Sequence, residues 1–453
     1  MVVVPVPVGT CVGDIQGHVG IEVSGKWRGA MAGEAMVPWE TARQTAWDLG
    51  VRCPAVVRHV ALRDTLGATL AADLVALVGV PAYDTAAMDG YAVAGRGPWV
   101  VRGRVLAGAT ERLGDLQPGE AVEIATGAPV PGGTEAVVPY EAALTEEVVG
   151  SADDARADEG RVGSATDAGS VTWVRGEIDP GRHVRRVGED TPAGAAVAAE
   201  GTIITPAVVG LAASLGHDTL TVRRPKVDVL VSGDEITDIG IPAPGQVRDA
   251  IGPVLPGLVE WGGGATGGVV RVRDTFAEMM SALRASADSG ADVIAVCGAS
   301  SKGPADHLRD ALATLGATPV VDGVACRPGH PQLLAHLGDP SSPGPVVVGL
   351  PGNPNAALVA AATLLVPLLA AMADRPDPCS DSALPSCLPI EGRIRPHYRD
   401  TRLAAVRVER GAVAHVVGHD RPGSLRGAAM ADALAVIPPD WRGPSARLLW
   451  LPR

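Results

Sequence analysis

The chain has 453 residues, of which 46% are hydrophobic and 20% charged, a composition typical of folded globular proteins rather than disordered ones. This length exceeds one ordinary hydrophobic core and predicts about two to four domains. The formal net charge of −13 argues against a nucleic-acid partner, because neutralising phosphates needs clustered Lys and Arg. An anionic small molecule remains possible, since a local pocket can oppose the global charge.

The start of the chain and its cysteines favour a cytoplasmic protein. Residues 1–36 lack a basic stretch and are interrupted by prolines, so they make a poor signal peptide, and we expect a poorly ordered extension. The six cysteines are scattered without a CxxC pair, the pattern of reduced thiols rather than of a disulfide framework or zinc site.

The composition changes several times before residue 226. Residues 37–91 begin with the helical stretch "PWETARQTAWDLG" and end in the turn-rich "VPAYDTAAMDGYAV". Residues 92–185 alternate short Val-rich runs with Gly and Pro turns, which predicts β structure. Within them, "GSADDARADEGRVGSATDAGS" is acidic and rich in Gly and Ser, and we expect a mobile loop there. Residues 186–225 include the helical pattern of "TPAVVGLAASLG".

Residues 226–375 have the alternation of an α/β domain. The runs "KVDVLVSG", "GVVRVRD", "DVIAVCG" and "PVVVGLPG" are short and β-branched, and each leads through a turn into helical sequence. This predicts a parallel, doubly wound sheet whose loops after the strands share one edge, where ligands bind. After a Pro- and Ser-rich linker, residues 388–453 predict a small β domain.

The long apolar run from Ala356 to Ala373 reaches the length of a membrane span. It is dominated by Ala, contains Thr363 and Pro367, and has no basic residues before it. We therefore predict a helix buried within the α/β domain and no membrane span.

The turn "GLPGNP" opens this helix. Asn353 is suited to cap the helix and Pro354 to be its first residue, while Gly352 lets the backbone approach a ligand. The first turn would then offer free N–H groups to an anion. The alternative is a plain strand-to-helix turn with no ligand.

Carboxylates follow several of the predicted strands. Asp234 and Glu235 come after the first strand, Asp274 after the second and Asp306 after the third. Together at one sheet edge they make a Mg²⁺ site plausible, because this ion takes oxygen ligands and bridges to phosphate. Each carboxylate alone could equally be a helix cap or a solvated surface charge.

The segment "CRPGHPQ" adds two polar side chains to this region. Arg327 is suited to a phosphate or oxyanion through its planar guanidinium, whereas His330 could equally be structural. Cys297 and Cys326 lie in apolar strands, and we expect them to be inert core residues.

Six motifs in order resemble the molybdopterin molybdenumtransferases, the enzymes related to the gephyrin E domain: "PAYDTAAMDGYAV", "ATGAPVPGGTEAVV", "VRRVGEDTPAG", "VSGDEI", "CRPGHP" and "GLPGNP". The resemblance spans residues 37–453. It implies an α/β multidomain fold with a discontinuous N-terminal domain (37–91 and 186–225), a β-rich inserted domain (92–185), a Rossmann-like molybdopterin-binding domain (226–375) and a C-terminal β domain (388–453). It also implies a homodimer with each active site between subunits.

The implied reaction uses adenylylated molybdopterin, molybdate and Mg²⁺, releases AMP and inserts the metal into the dithiolene. By resemblance the catalytic residues are Asp89, Asp190, Glu235, Asp274 and Asp306. Of these, Glu235, Asp274 and Asp306 would be the metal ligands. The substrate-binding residues would be Thr126, Lys302, Arg327, Gly352, Asn353, Arg402 and Ser424.

The chain departs from the family pattern at several of these motifs. Ala86 replaces the usual Ser before "AMDGYA", and Asp249-Ala250-Ile251 replaces Asp-Ser/Thr-Asn. Arg327 and His330 stand where the family has lysines, and the loop with Lys302 has one extra residue. Besides the enzyme, two alternatives therefore remain: a divergent non-catalytic paralogue that binds molybdopterin or a nucleotide, and a scaffolding dimer of the same fold.

Overall fold

The computed structural model describes residues 36–108, 114–149, 170–301, 303, 306–338, 344–380 and 383–452. Residues 1–35 of the extension expected at 1–36, most of the acidic segment after Val149, and Lys302 lie outside these ranges. The described residues group into two compact units. Unit 1 contains residues up to Ala55, Pro225–Met372 and Pro376–Arg453, and unit 2 contains Val56–Arg224 with Ala373–Arg375. The five domain boundaries drawn from the sequence stay a prediction.

The strands run in chain order as follows: β1 Val37–Pro38, β2 Val57–Ala61, β3 Thr69–Leu70, β4 Leu74–Val75, β5 Thr85–Ala86, β6 Gly90–Val93, β7 Trp99–Val105, β8 Glu120–Ile124, β9 Ala136–Pro139, β10 Leu144–Val149, β11 Ser170–Arg175, β12 Val184–Arg185, β13 Ala196–Ala198, β14 Thr219–Arg223, β15 Lys226–Ser232, β16 Ile236–Thr237, β17 Val247–Arg248, β18 Ala265–Val272, β19 Val293–Cys297, β20 Thr318–Asp322, β21 Val324–Arg327, β22 Leu333–His336, β23 Val346–Leu350, β24 Cys387–Glu391, β25 Thr401–Glu409, β26 Val413–Val416, β27 Ala433–Ile437 and β28 Ser445–Trp450.

The α-helices are α1 Trp39–Arg52, α2 Pro206–Ser214, α3 Leu255–Trp261, α4 Phe276–Asp288, α5 Leu308–Thr314, α6 Pro354–Ala360, α7 Val366–Met372 and α8 Arg426–Ala429. Helices α6 and α7 are joined by a π-helical turn, Ala361–Leu365, into one continuous helix. The helices predicted at "PWETARQTAWDLG" and "TPAVVGLAASLG" are confirmed as α1 and α2.

The central sheet of unit 1 is the predicted α/β sheet. Its strand order is β18-β15-β19-β23-β22-β20, and the first four strands are parallel, as the four β-branched runs predicted. The other two run antiparallel at one edge, which makes the sheet mixed. Alternate residues of the inner strands β15, β19 and β23 enter different cores: Val229 packs with α3, and Leu230 with α4 and α5. Because these strands are buried on both faces, their sequences are continuous apolar runs.

The helix Pro354–Met372 is long and apolar enough to cross a membrane by length and composition, and it is almost entirely buried in unit 1. Helix α1 packs beside it, with Trp39, Ala42 and Leu49 buried in the same core. Trp39 Nε1 donates to Thr363 Oγ1 at 3.0 Å, which gives the hydroxyl in this apolar run a partner. This arrangement is that of the buried core helix predicted from the Ala-rich composition.

The C-terminal part of unit 1 is a β structure that closes on itself. Strands β25, β26, β24, β28 and β27 are neighbours in that order, and β27 pairs back to β25. Strand β21 joins the start of β25 in parallel, with Arg327 opposite Arg402, and β1 pairs with β21. The sequence placed Cys326 in an apolar strand, but it did not indicate β1 or the pairing of β21 with β25, which brings Arg327 and Arg402 together.

Unit 2 is built mostly of β structure. Its largest sheet has the order β10-β11-β7-β8-β6-β9, and a smaller sheet has the order β2-β14-β3. Separate apolar clusters fill it, including one around Ile124 and Val137 and one around Leu70, Ile204 and Val222.

Candidate functional site

A cleft of about 740 Å³ lies at the carboxyl ends of the parallel strands in unit 1. We call it the strand-end cleft. Among the residues that line it are Glu235, Asp249, Asp274, Asp306, Gly352 and Asn353. Gly298, which follows β19, also lines it and has a φ of +100°, and a Cβ there would lie 2.2 Å from the carbonyl oxygen of Ser232. Glycine therefore lets two strand ends approach closely at the floor of the cleft.

Asp274 is held firmly at this cleft. Its Oδ1 accepts a hydrogen bond from Ser232 Oγ at 2.6 Å, and its Oδ2 accepts one from the backbone N–H of Asp234 at 3.1 Å. Asp234 itself is exposed and does not line the cleft, although its Oδ1 accepts from the Asp274 N–H. Of the four carboxylates predicted at this edge, the structure thus places three in the cleft and makes the fourth a supporting residue.

The other acidic side chains of the cleft differ in how they are held. Asp306 Oδ2 accepts from the Gly303 N–H at 2.6 Å, and Asp249 Oδ1 accepts from the N–H groups of Ile251 and Gly252 at 2.9 Å each. The Glu235 carboxylate makes no hydrogen bond or ion pair within the described residues. It is therefore available to a ligand.

These carboxylates do not form a ready-made metal cage. In the described part of the chain, no three His, Cys, Asp or Glu side chains stand close enough together to hold a metal ion. Mg²⁺ is commonly held by one or two carboxylates together with waters and substrate phosphates. Glu235, Asp274 and Asp306 fit that second kind of site, and their role as metal ligands stays a prediction.

The prediction of free N–H groups at the helix opened by "GLPGNP" is wrong. Pro354 occupies the first position of α6, but the Asn353 side chain makes no capping hydrogen bond. The N–H groups of Asn355 and Ala356 both donate to the carbonyl oxygen of Pro422, at 2.9 and 3.2 Å. The segment 420–424 thus satisfies the helix start in place of an anion, because unpaired donors at a helix start require partners.

A second cleft, of about 500 Å³, lies in the same unit and shares Asn353 with the first. We call it the arginine cleft. Its lining includes Arg327, His330, His397, Arg402, Asp420 and Arg421. Two strands that pair in parallel, β21 and β25, bring Arg327 and Arg402 opposite each other. The cleft therefore combines guanidinium groups with a largely apolar wall of prolines, including Pro328 and Pro351.

Arg327 and Arg402 are each fixed by an aspartate. Arg327 Nε donates to Asp400 Oδ2 at 2.8 Å, and the Asp400 side chain is only 3% exposed. Arg402 Nε donates to Asp420 Oδ2, a hydrogen bond that raises the pKa of Arg402, and its Nη1 donates to the Arg395 carbonyl. The terminal nitrogens of Arg327 make no hydrogen bond within the described residues, so they can face a ligand.

His330 and the neighbouring thiols do not add charge to this cleft. Burial, assisted by the positive charge of Arg327, lowers the pKa of His330, so its ring is neutral at pH 7. Burial raises the pKa of Cys326 to about 12 and that of Cys297 further. Both thiols are almost fully buried. The prediction that they are core residues is confirmed.

Ser424 lies next to the clefts without lining either. Its neighbour Gly423 lines the strand-end cleft, and Ser424 Oγ accepts weakly from the Arg426 N–H at 3.4 Å. Lys302 lies outside the described residues.

Three predicted site residues belong to unit 2. Thr126 donates to Asp89 Oδ1 twice, from its N–H at 2.7 Å and from its hydroxyl at 3.0 Å, and both residues are exposed. Asp190 is also exposed, and its backbone N–H donates to the Val80 carbonyl. The structure brings Asp89 and Thr126 together.

His397, Asp400 and Asp420 were not identified as site residues from the sequence. Asp400 follows His397 by three residues in "PHYRDTR", but nothing in that pattern shows that its carboxylate reaches Arg327. The pairing of β21 with β25, which only the folded chain reveals, is what joins them.

Two family models match the chain. The MoeA N-terminal region (domain I and II) matches residues 37–216, and a probable molybdopterin binding domain matches residues 228–371.

Several known proteins are similar over most of the chain. Molybdopterin molybdenumtransferase 2 of Mycobacterium tuberculosis is 32% identical over 413 residues, which cover 84% of this chain and 91% of the relative. Molybdopterin molybdenumtransferase of Bacillus subtilis is 28% identical over 399 residues, or 85% of this chain and 86% of that protein.

Crystal structures of the molybdopterin biosynthesis MoeA protein of Pyrococcus horikoshii share the fold. Two of them have TM-scores of 0.62 and 0.57 at 24% and 21% sequence identity, and both cover 92% of this chain. They cover 99% and 100% of the Pyrococcus chains.

Proposed function

Because the chain belongs to the molybdopterin molybdenumtransferase family of molybdenum cofactor biosynthesis, we propose that it inserts molybdate into adenylylated molybdopterin with Mg²⁺ and releases AMP. Molybdopterin and molybdate are substrates in this proposal. We propose further that the protein acts in the cytoplasm as a homodimer.

One observation supports this reaction most directly: the acidic strand-end cleft and the arginine cleft adjoin in one compact unit and share Asn353. The first offers carboxylates, and the second offers two oriented guanidinium groups. A substrate with a pyrophosphate and a reaction with an oxyanion need these two chemistries side by side. A strand-to-helix turn that binds no ligand would need neither the carboxylates nor the guanidinium groups.

In the strand-end cleft, Glu235, Asp274 and Asp306 would hold Mg²⁺ together with oxygens of the substrate pyrophosphate. When bound, the ion would neutralise negative charge on the phosphates and make AMP a better leaving group. Ser232 and the Asp234 N–H keep Asp274 in one orientation, so the carboxylate reaches its ligand without reorganising. Glu235 has no competing partner within the described residues.

In the arginine cleft, Arg327 and Arg402 would bind molybdate or the terminal phosphate. Their Nε atoms are occupied by Asp400 and Asp420, which leaves terminal N–H groups for a planar, charge-assisted contact. Gly352, in the strand-end cleft, and Asn353, which lines both clefts, would contact the substrate through the backbone and the side-chain amide. We propose substrate contacts also for Lys302 and Ser424, and catalytic or substrate contacts for Asp89, Thr126 and Asp190 in unit 2.

The test is AMP release by the purified full-length chain supplied with adenylylated molybdopterin, molybdate and Mg²⁺. We expect one AMP per molybdenum inserted, and loss of turnover when Mg²⁺ is chelated. An Arg327→Ala variant should require more molybdate for the same rate, because it loses an oxyanion ligand. Absence of AMP release under all conditions would refute the proposed reaction.

A second candidate, the non-catalytic paralogue, has one structural argument. The helix start at Asn355 and Ala356 is satisfied by Pro422, and the guanidinium groups of Arg327 and Arg402 each already carry an aspartate, which reduces the local positive charge. If this candidate is right, the chain binds molybdopterin without inserting metal. A double replacement of Arg327 and His330 by Lys, the family's residues, separates the candidates: increased turnover would mean that only oxyanion capture had been weakened.

A further inference from the structure

The arginine cleft contains a small polar network that the sequence did not reveal. It consists of His397 and Asp400, which precede β25, and Arg327, which ends β21. The two strands are parallel partners at this point, so residues distant in the chain form one cluster. Asp400 is almost completely buried, whereas the Arg327 side chain is 45% exposed toward the cleft.

The hydrogen bonds of this network assign the proton of the His397 ring. Nδ1 accepts from the backbone N–H groups of Asp400 at 3.0 Å and Arg399 at 3.4 Å. The Asp400 Oδ2 also lies 3.3 Å from Nδ1. Since Nδ1 already accepts two N–H groups, its lone pair faces them, and the ring proton belongs on Nε2.

The Nε2–H group is then available to a ligand. His397 lines the arginine cleft with Arg327 and Arg402, its side chain is 27% exposed, and its Nε2 makes no hydrogen bond within the described residues. A donor held in this way can complement an anion, because the backbone fixes the orientation of the ring through Nδ1.

Asp400 connects His397 to Arg327. Its buried carboxylate holds Arg327 through Nε, the one guanidinium nitrogen whose use leaves both terminal groups free. Its N–H fixes the His397 ring. A buried carboxylate is costly unless paired, and here the pairing partner is the cleft arginine itself.

We propose that His397 binds the oxyanion substrate through Nε2–H and that Asp400 is the positioning residue that orients Arg327 toward the same ligand. This inference rests on the proposed function, since it names how that reaction's oxyanion is held. Arg327, Arg402 and His397 then form a three-residue donor set. Asp400 contacts two of its members and not the ligand.

The experiment is calorimetric titration of the full-length protein with molybdate alone, at one pH and low ionic strength. Loss of a hydrogen bond to a charged ligand should weaken binding by about 10-fold or more in His397→Ala. His397→Gln should recover part of this loss, because its amide N–H occupies roughly the position of Nε2–H. Binding by His397→Ala within 2-fold of the wild type would overturn the role of His397.

A double-mutant cycle tests the positioning role of Asp400. Asp400→Asn should weaken molybdate binding about 10-fold in the wild type and have little effect once Arg327 is already Ala, because the two residues act as one unit. Equal losses in both backgrounds would overturn that role. Asp377→Asn is the matched control: it also breaks a buried Arg–carboxylate pair, with Arg43, but lies outside both clefts. Its molybdate affinity should be unchanged.

These outcomes are distinct from failure of the proposed function. AMP release is measured separately, with the strand-end cleft intact in every variant, and the KM for adenylylated molybdopterin should stay the same while the KM for molybdate rises. A wild-type chain that binds no molybdate would overturn the inference even if AMP were released. Molybdate binding without AMP release would overturn the reaction and leave the inference standing.

Discussion

At the scale of single residues, Asp274 is the carboxylate whose environment is best defined, because Ser232 and the Asp234 N–H hold its two oxygens separately. Asp274→Asn keeps the hydrogen bond from Ser232 possible but replaces the second acceptor and removes the charge. We expect AMP release to fall by about 10- to 100-fold and the Mg²⁺ concentration for half-maximal rate to rise. The measurement is AMP release as a function of Mg²⁺.

Asp234→Asn provides the comparison for Asp274. This residue supports Asp274 from outside the cleft through a long 3.4 Å contact, so its replacement should cost clearly less activity. Equal losses in the two variants would mean that the Asp274 charge is not what the reaction uses.

The burial of three cysteines predicts which thiols react with an alkylating reagent at pH 8. Burial raises the pKa of Cys326 and Cys379 to about 12 and that of Cys297 further, so at pH 8 the three buried thiols are protonated. Cys387 is exposed. Iodoacetamide at pH 8 should label Cys387 in the native protein and should label the three buried cysteines only after denaturation, as read by peptide mass mapping. Comparable native labelling at Cys326 would contradict the buried position.

Among the helices and strands, local sequence patterns predicted where several elements begin and which strands are parallel. Hydrogen bonds to distant segments, which the sequence does not show, determine how a helix start is satisfied. The sequence placed Pro354 at the first position of α6 and found the four parallel strands, because turn chemistry and β-branched runs are local signals. It could not show that the carbonyl of Pro422 satisfies the N–H groups of that helix. A capping partner so far along the chain leaves no trace in a sequence window.

The turn after β19 requires glycine at position 298. Gly298 has a φ of +100°, and a Cβ there would lie 2.2 Å from the Ser232 carbonyl oxygen, at the end of the neighbouring strand. Gly298→Ala must shift backbone, and we expect it to lower the free energy of unfolding by at least about 2 kcal/mol. Thermal unfolding measures this, with a fall in Tm of several degrees.

The control for that turn is another glycine of the same sheet. A Cβ on Gly268, in β18, would meet nothing within 4 Å, so Gly268→Ala should change stability by less than about 0.5 kcal/mol. If both variants unfold at the wild-type temperature, the close approach of the strand ends is not a constraint on this fold.

At the scale of the whole molecule, the sequence predicted the fold class and the family but not how distant segments share a sheet. The β-rich C-terminal region was anticipated, whereas the pairing of β21 with β25, and of β1 with β21, was not. That attachment sets Arg327 opposite Arg402 and brings it to Asp400. The arginine cleft is thus a product of tertiary pairing, while the strand-end cleft follows from the parallel sheet that local patterns predict.

A fragment of residues 56–224, which contains nearly all of unit 2, should fold by itself. All strands of its sheets lie within this range, and it contains its own apolar clusters around Ile124, Val138 and Val222. Its length is that of an ordinary domain. Circular dichroism should show β structure that is lost cooperatively on heating.

A shorter fragment, residues 56–214, tests whether β14 is needed for unit 2 to fold. It lacks β14, which pairs with both β2 and β3 and contributes the buried side chains of Leu220 and Val222. Without β14 the three-stranded sheet has no central strand, and the cluster that it covers is exposed to water, at a cost of about 25 cal/mol per Å² of apolar surface. We therefore expect the shorter fragment to unfold at lower temperature or without a cooperative transition. Equal stability of the two fragments would mean that β14 does not hold unit 2 together.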